Sequence, residues 1–345
     1  MIGKKVLFIG DFGIDDIVAL LFAYYSKSID IVGIVVDYGN ISKKNATITA
    51  RYIQEITQLT DIPIIGGADR PLTGEQPTYF PEIHGEYGLG PITPDLSEPI
   101  PEFENFHEIL TVINQYPNEI SIVNVGRLTS LATAIVLYPN FLSQVKEFYI
   151  MGGAFLFPGN ATPIAEANFY SDHYAANLVI SNVEKVKIFP LNVTNYAIIP
   201  DNIINQLDQY FKRTGDSVGQ LLKPIITHYS EWYKKRDPSI SGGPMHDLLT
   251  LWAVKNSNHF QFVDKPVKIS TEDGVARGQS IGDFRPYKEL EKYPIHSIAI
   301  KFDYQFYIEN VYDTFINGNK FNNYSKKLHI ISSSPLCCIL INFSL

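Results

Sequence analysis

Asp11, Asp15 and Asp16 stand within six positions, directly after the apolar run 6–10 and on either side of Gly13. Three carboxylates this close repel one another at neutral pH. Such a group persists when a cation neutralises it or when one member keeps its proton. The plainer reading is a solvated turn whose acids cap the amino end of a helix. A second polar group, Asn160, Glu166 and Asn168, is separated by small or apolar residues. Amides and carboxylates together donate to and accept from several hydroxyls, which suits a sugar; local turn chemistry explains the same residues without a ligand. His246-Asp247 precedes the apolar stretch 248–254. That pair either caps a helix or supplies a metal ligand, Asp247, and a proton donor near physiological pH, His246. Tyr229, Trp232 and Tyr233 share one helical face, a stripe that packs in a core or stacks on a planar base. His84 lies in a glycine-rich stretch that reads equally as a lid or a surface loop.

These residues need elements to hold them. The apolar run 6–10 reads as a strand, followed by a helix whose buried face carries Ile17, Leu20, Leu21 and Tyr24. Further strands are expected at 31–36, 62–65, 120–125, 148–151 and 186–190, and helices at 44–57, 106–116, 128–137 and 172–181. Strand, loop and helix in alternation predict an α/β fold: a single domain with a mainly parallel central sheet, open and doubly wound, flanked by helices. The polar residues bunch after the strands, where one edge of a parallel sheet gathers them.

Composition sets the outer limits. The 345 residues are 45% hydrophobic and 19% charged, ordinary for a soluble globular chain, and the net charge of −8 argues against nucleic acid or an anionic membrane as partner. Cys337 and Cys338 are the only cysteines, which excludes a disulfide framework and a cysteine zinc site. The tail at 336–343 is apolar but shorter than the ~20 residues of a membrane helix. With no secretory signal evident, a cytoplasmic location is the expectation.

Taken in order, the segments resemble the inosine-uridine preferring nucleoside hydrolases over about residues 4–318. The resemblance rests on the acidic turn at 11–16, Tyr38-Gly39-Asn40, His84-Gly85 with Gly88 and Gly90, and Val125-Gly126-Arg127-Leu128-Thr129. It continues through Met151-Gly152-Gly153, the loop 159–168 and His246-Asp247. It implies a catalytic domain over 1–320 and a tail over 321–345 without family counterpart. It further implies calcium-dependent hydrolysis of a small-molecule ribonucleoside to ribose and free base, for salvage, by a homodimer or homotetramer. By family pattern Asp11, Asp16, Asp247 and the Val125 carbonyl would hold Ca²⁺, whose preference is for oxygen. Asp15, Asn40, Asn160, Glu166 and Asn168 would bind the ribose, with His84, Tyr229 and Tyr233 also on the substrate. Asp11 would activate water, and His246 would protonate the leaving base.

The chain departs from the pattern at Ile9, where most members carry an aspartate, at Phe12 in place of a proline, and at Asn192 in place of an aspartate. Ile9 removes a supporting carboxylate, and Phe12 is expected to crowd the pocket. Two alternatives therefore stand beside the nucleosidase reading: a non-catalytic nucleoside- or ribose-binding protein on the same scaffold, and a hydrolase for a narrower N-ribosyl substrate.

Overall fold

The computed structural model describes residues 3–96, 104–286 and 292–332, with side chains to residue 318. Nine strands form one sheet in the order β3-β2-β1-β4-β5-β6-β9-β7-β8. The strands are β1 (Lys4–Gly10), β2 (Ile29–Val36), β3 (Ile64–Gly66), β4 (Ser121–Asn124), β5 (Glu147–Met151), β6 (Val186–Phe189), β7 (Phe260–Ile269), β8 (Ser280–Gly282) and β9 (Ile295–Phe302). β1 to β6 and β9 pair in parallel. β7 and β8 add an antiparallel edge. The alternation read from the sequence is the alternation observed as far as β6. The last three strands lie beyond the segments read as strands there.

Side chains alternate across the pleat, so β1 feeds two cores. Val6 and Phe8 join an apolar cluster on one face, and Leu7 and Ile9 join a second on the other. Ile9 is fully buried in the second cluster with Val35, Ile65 and Ile122. The first helix, Ile14–Tyr25, corrects the expectation of one buried face: it is buried all round, and Tyr24 alone is half-exposed. The helices His246–Asn256 and Tyr304–Ser332 pack against it, leaving it no solvent side.

The final helix, Tyr304–Ser332, runs across residue 320, where the sequence drew a domain boundary. Cys337 and Cys338, with the rest of 333–345, lie outside the described residues. Among the described residues no helix is long and apolar enough to cross a membrane.

β1 has β2 on one side and β4 on the other, so chain direction through the sheet reverses between β1 and β4. Open sheets bind ligands beyond the strand ends at such a point. Asp11 follows β1 there, and Val125 to Arg127 follow β4.

Candidate active site

Asp15, Asp16 and Asp247 come together, their nearest carboxylate oxygens within 4.8 Å of one another. The first two open the helix after β1; Asp247 opens the helix His246–Asn256, which packs on it. Both readings of the acidic turn are realised in Asp16. Its Oδ2 accepts the Gly13 N–H at 2.8 Å, closing the helix start. Its Oδ1 and Asp15 Oδ1 are buried with no hydrogen-bond donor among the described residues. Burial pushes the Asp15 carboxyl up to about 7, and Asp16 and Asp247 well above the ordinary range, each raised further by its acidic neighbours. Such a cluster cannot be fully ionised without a counter-charge. Its donor set, all carboxylate oxygen with two atoms unpartnered, fits a hard divalent cation.

Asp11 sits beside this triplet with both oxygens occupied. Oδ1 accepts the Asn40 side-chain amide at 3.0 Å, and Oδ2 accepts the Asn40 backbone N–H at 2.9 Å and Arg127 Nη1. Burial raises its pKa, opposed by the Arg127 charge. Gly39 explains the close approach of Asn40: a Cβ there would collide with the Asp11 carboxylate. The Val125 carbonyl accepts Asn168 Nδ2 at 2.8 Å. Of the four groups implied to hold calcium, then, Asp16 and Asp247 belong to the triplet, whereas Asp11 and Val125 are hydrogen-bonded elsewhere.

Above the acids lies a cavity of about 660 Å³, a volume ordinary for small-molecule sites. Asp15, Asn40, His84, Val125, Asn160, Glu166, Asn168, Tyr229, Tyr233, His246 and Asp247 line it. Every residue assigned to substrate from the sequence therefore converges on one space. Asp11 and Asp16 are not among the lining residues; they are buried one layer deeper.

Glu166 combines site and scaffold. Its Oε1 accepts the Asn168 N–H at 2.8 Å, and Oε2 accepts the N–H groups of Gly153 at 3.0 Å and Phe169 at 3.1 Å. It thereby caps the short helix Ala167–Ser171, which presents Asn168. Asn160, exposed at the rim, accepts the Ala167 N–H at 2.9 Å. Local turn chemistry and cavity lining coexist in this loop.

His84 corrects the sequence reading of a lid or surface loop. It is buried, and its Nδ1 accepts the Ile14 N–H at 3.0 Å, capping the helix of the acidic turn. Burial and the nearby Arg127 charge drive its pKa down to about 3, so the neutral acceptor form persists. Gly88 makes the loop possible: it has φ +68°, and a Cβ there would collide with the Phe12 carbonyl oxygen. Phe12 holds a strained φ of 57°, yet its ring is fully buried in the first core and does not line the cavity. The expected crowding of the pocket does not occur, because the turn directs the ring away from it.

Part of the lining is aromatic. Tyr229, Trp232 and Tyr233 project from the helix Leu222–Arg236. The Tyr229 and Tyr233 hydroxyls are 3.3 Å apart, and Tyr233 Oη lies 3.5 Å from His246 Nε2. His246 Nδ1 bonds Thr194 Oγ1 at 2.8 Å. Burial lowers the His246 pKa to about 4, so the imidazole is neutral at physiological pH, contrary to the expectation of titration there. Both tyrosines are pushed up and stay protonated.

Two contributors carried no role in the sequence reading. Arg127 sits in a quoted motif, but only the fold turns it onto Asp11. Asp37, after β2, accepts the Ala68 N–H at 2.7 Å and the Ser130 hydroxyl, tying β2, β3 and the helix Thr129–Leu137 together under the site. Asn192 holds the loop after β5: its Oδ1 accepts the Phe155 N–H at 3.0 Å and its Nδ2 donates to the Phe155 carbonyl at 2.8 Å. An ionised aspartate could not donate that second bond.

Carboxylates, amides and aromatic rings lining one cavity suit a polyhydroxylated ligand bearing a planar group. The chain belongs to the inosine-uridine preferring nucleoside hydrolase family, whose model matches residues 6–309. It is 31% identical over 284 residues to uridine nucleosidase 1 of Arabidopsis thaliana, covering 81% of this chain and 82% of that one. It is 27% identical over 308 residues to the inosine-uridine preferring nucleoside hydrolase of Crithidia fasciculata, covering 88% and 94%. Among solved structures, a plant nucleoside hydrolase superposes with a TM-score of 0.83 at 28% identity, over 91% of this chain and 99% of that one. The protein is thus an enzyme, a hydrolase of nucleoside N-glycosidic bonds, and the binding-only alternative falls away.

Proposed function

We propose that this cavity hydrolyses ribonucleosides, with uridine and inosine the first substrates to test, in a calcium-dependent reaction that yields ribose and the free base. The observation that carries this reading is the buried triplet Asp15, Asp16 and Asp247, of which Asp15 and Asp247 line a cavity shared with Asn168, Glu166 and the tyrosines. Asp15, Asp16 and Asp247 would hold Ca²⁺, with Asp11 and the Val125 carbonyl adjacent. When bound, the cation would neutralise the carboxylates and supply a Lewis acid beside the ribose.

The chain's own groups do the rest. Asp15, Asn40, Asn160, Glu166 and Asn168 orient the ribose hydroxyls, donating and accepting as each requires. Asp11 takes the proton of the attacking water when its Oδ2 is released from Arg127; burial makes this carboxylate a stronger base than a solvated one. As the C1′–N bond breaks, positive charge builds on the sugar, and the fixed carboxylates stabilise it. The leaving base stacks against the tyrosines, and hydrogen bonds from the neutral His246 ring and the Tyr233 hydroxyl assist its protonation; the proton itself comes from solvent and balances the one that Asp11 removes from the attacking water.

The test is reducing-sugar release from uridine, inosine, adenosine, guanosine and cytidine, with and without EDTA, beside Asp11→Ala. Chelator-sensitive release that falls by about three orders of magnitude or more in the variant is expected, the range for removal of a general base. No release from any calcium-loaded sample would overturn the assignment.

A further inference from the structure

Arg127 is a cation that this chain builds into its own acidic site. It follows β4 at the point where the sheet reverses, and it is 2% exposed. Its Nη1 donates to Asp11 Oδ2 and to Asn168 Oδ1, the latter at 3.1 Å. Its Nε is buried without an acceptor among the described residues, so the guanidinium is tied at one nitrogen. Arg127 lines the cavity, whereas Asp11 behind it does not. Seen from the cavity, the guanidinium covers the carboxylate.

The same contact controls a second oxygen. An asparagine amide that accepts through Oδ1 must point its N–H groups the other way. Asn168, with Oδ1 on Arg127, therefore directs Nδ2 at the Val125 carbonyl. One arginine thus occupies Asp11 directly and Val125 indirectly, while Asp15 Oδ1 and Asp16 Oδ1 stay unpartnered.

We propose that Arg127 sets the affinity of this site for its divalent cation, competing for Asp11 and, through Asn168, withholding the Val125 carbonyl. The proposal rests on the reading of the acidic cluster as a divalent-cation site. Like charges a few ångströms apart in a buried site oppose one another strongly. A guanidinium that must be displaced or tolerated weakens cation binding for the same reason. The consequence is an enzyme in which one acid of the site, Asp11, is already charge-paired before the cation arrives, and which loads at higher calcium than the acid count suggests.

The experiment is calcium titration by calorimetry of metal-stripped wild type, Arg127→Met and Arg127→Lys, with the calcium-induced shift in Tm as a second readout. Methionine removes the charge and keeps most of the volume; lysine keeps the charge. Binding at least tenfold tighter in Arg127→Met than in wild type, a larger calcium-induced Tm shift in that variant, and a lysine variant close to wild type are expected. If Arg127→Met does not fold, Arg127→Gln, which keeps a donor for Asp11 without the charge, gives the same comparison. Equal calcium affinity in wild type and the uncharged variant would overturn the role of Arg127 while leaving the cation site standing. No calcium binding in any of the proteins would overturn the cation site itself, and the proposal with it.

Discussion

Replacing Asp37 by asparagine should change how stability depends on pH. Asp37 is fully buried; its Oδ1 takes the Ala68 N–H and the Ser130 hydroxyl, and its Oδ2 has no partner among the described residues. Burial pushes its carboxyl from an ordinary 3.8 up to about 7. Below pH 4 the folded and unfolded chains both carry the proton, and the site costs nothing. Between pH 4 and 7 the unfolded chain releases the proton while the folded chain keeps it, so stability falls as pH rises. Above pH 7 the folded chain holds a buried carboxylate at full cost. The gap of about 3 pH units, at roughly 1.4 kcal/mol each, amounts to about 4 kcal/mol. Asparagine keeps the Oδ1 acceptor for both donors and places an uncharged amide where the protonated oxygen stood. Urea unfolding in EDTA across pH 4 to 8, followed by tryptophan fluorescence, should give equal stabilities near pH 4. The variant should then gain on wild type through pH 7, by up to about 4 kcal/mol at pH 8. The comparison isolates Asp37 because the other buried acids titrate in both proteins. A constant offset between the two curves across that range would refute the reasoning.

Two further substitutions test other parts of the architecture. Tyr233→Phe removes the hydroxyl between Tyr229 and His246; kcat on natural nucleosides should drop about ten- to a hundredfold with KM little changed, whereas a riboside with a good leaving group should be spared. Equal losses on both substrates would show that the hydroxyl does not serve leaving-group protonation. Asn192→Asp turns the bond to the Phe155 carbonyl into a repulsion, and should cost about 2 kcal/mol at neutral pH, recovered as the new carboxyl is protonated below about pH 4; urea unfolding at the two pH values reads this directly.

Much of the layout was legible because it is written in short-range pattern. Apolar runs of strand length alternating with helical periodicity identify β1 to β6 and the helices between them, since pleat and helix repeat are local properties of the chain. Parallel strands then place everything that follows them on one edge, which is why Asp15, Asn40, Glu166 and Asn168 could be assigned to one site from spacing alone. The antiparallel edge of β7 and β8 was not legible: β7 alternates weakly, and its burial depends on what packs over it.

What the sequence left open was partner choice. The acidic turn at 11–16 could cap a helix or bind a cation, and the fold makes Asp16 do the first with one oxygen while leaving the other free. Phe12 could crowd the pocket or leave it clear, and the turn that strains its backbone sends the ring into the core. His84 could sit on a lid, and becomes a buried cap on a helix 70 residues away. Arg127 reads from sequence as one more charge, but lies 116 residues from the carboxylate it covers. Residue types determine which bonds a side chain can make, and that much is local. Which of those bonds forms depends on burial and on neighbours brought in from distant segments, and in this protein the packing of β1 against β4, and of the helix from His246 on the helix from Ile14, made that choice.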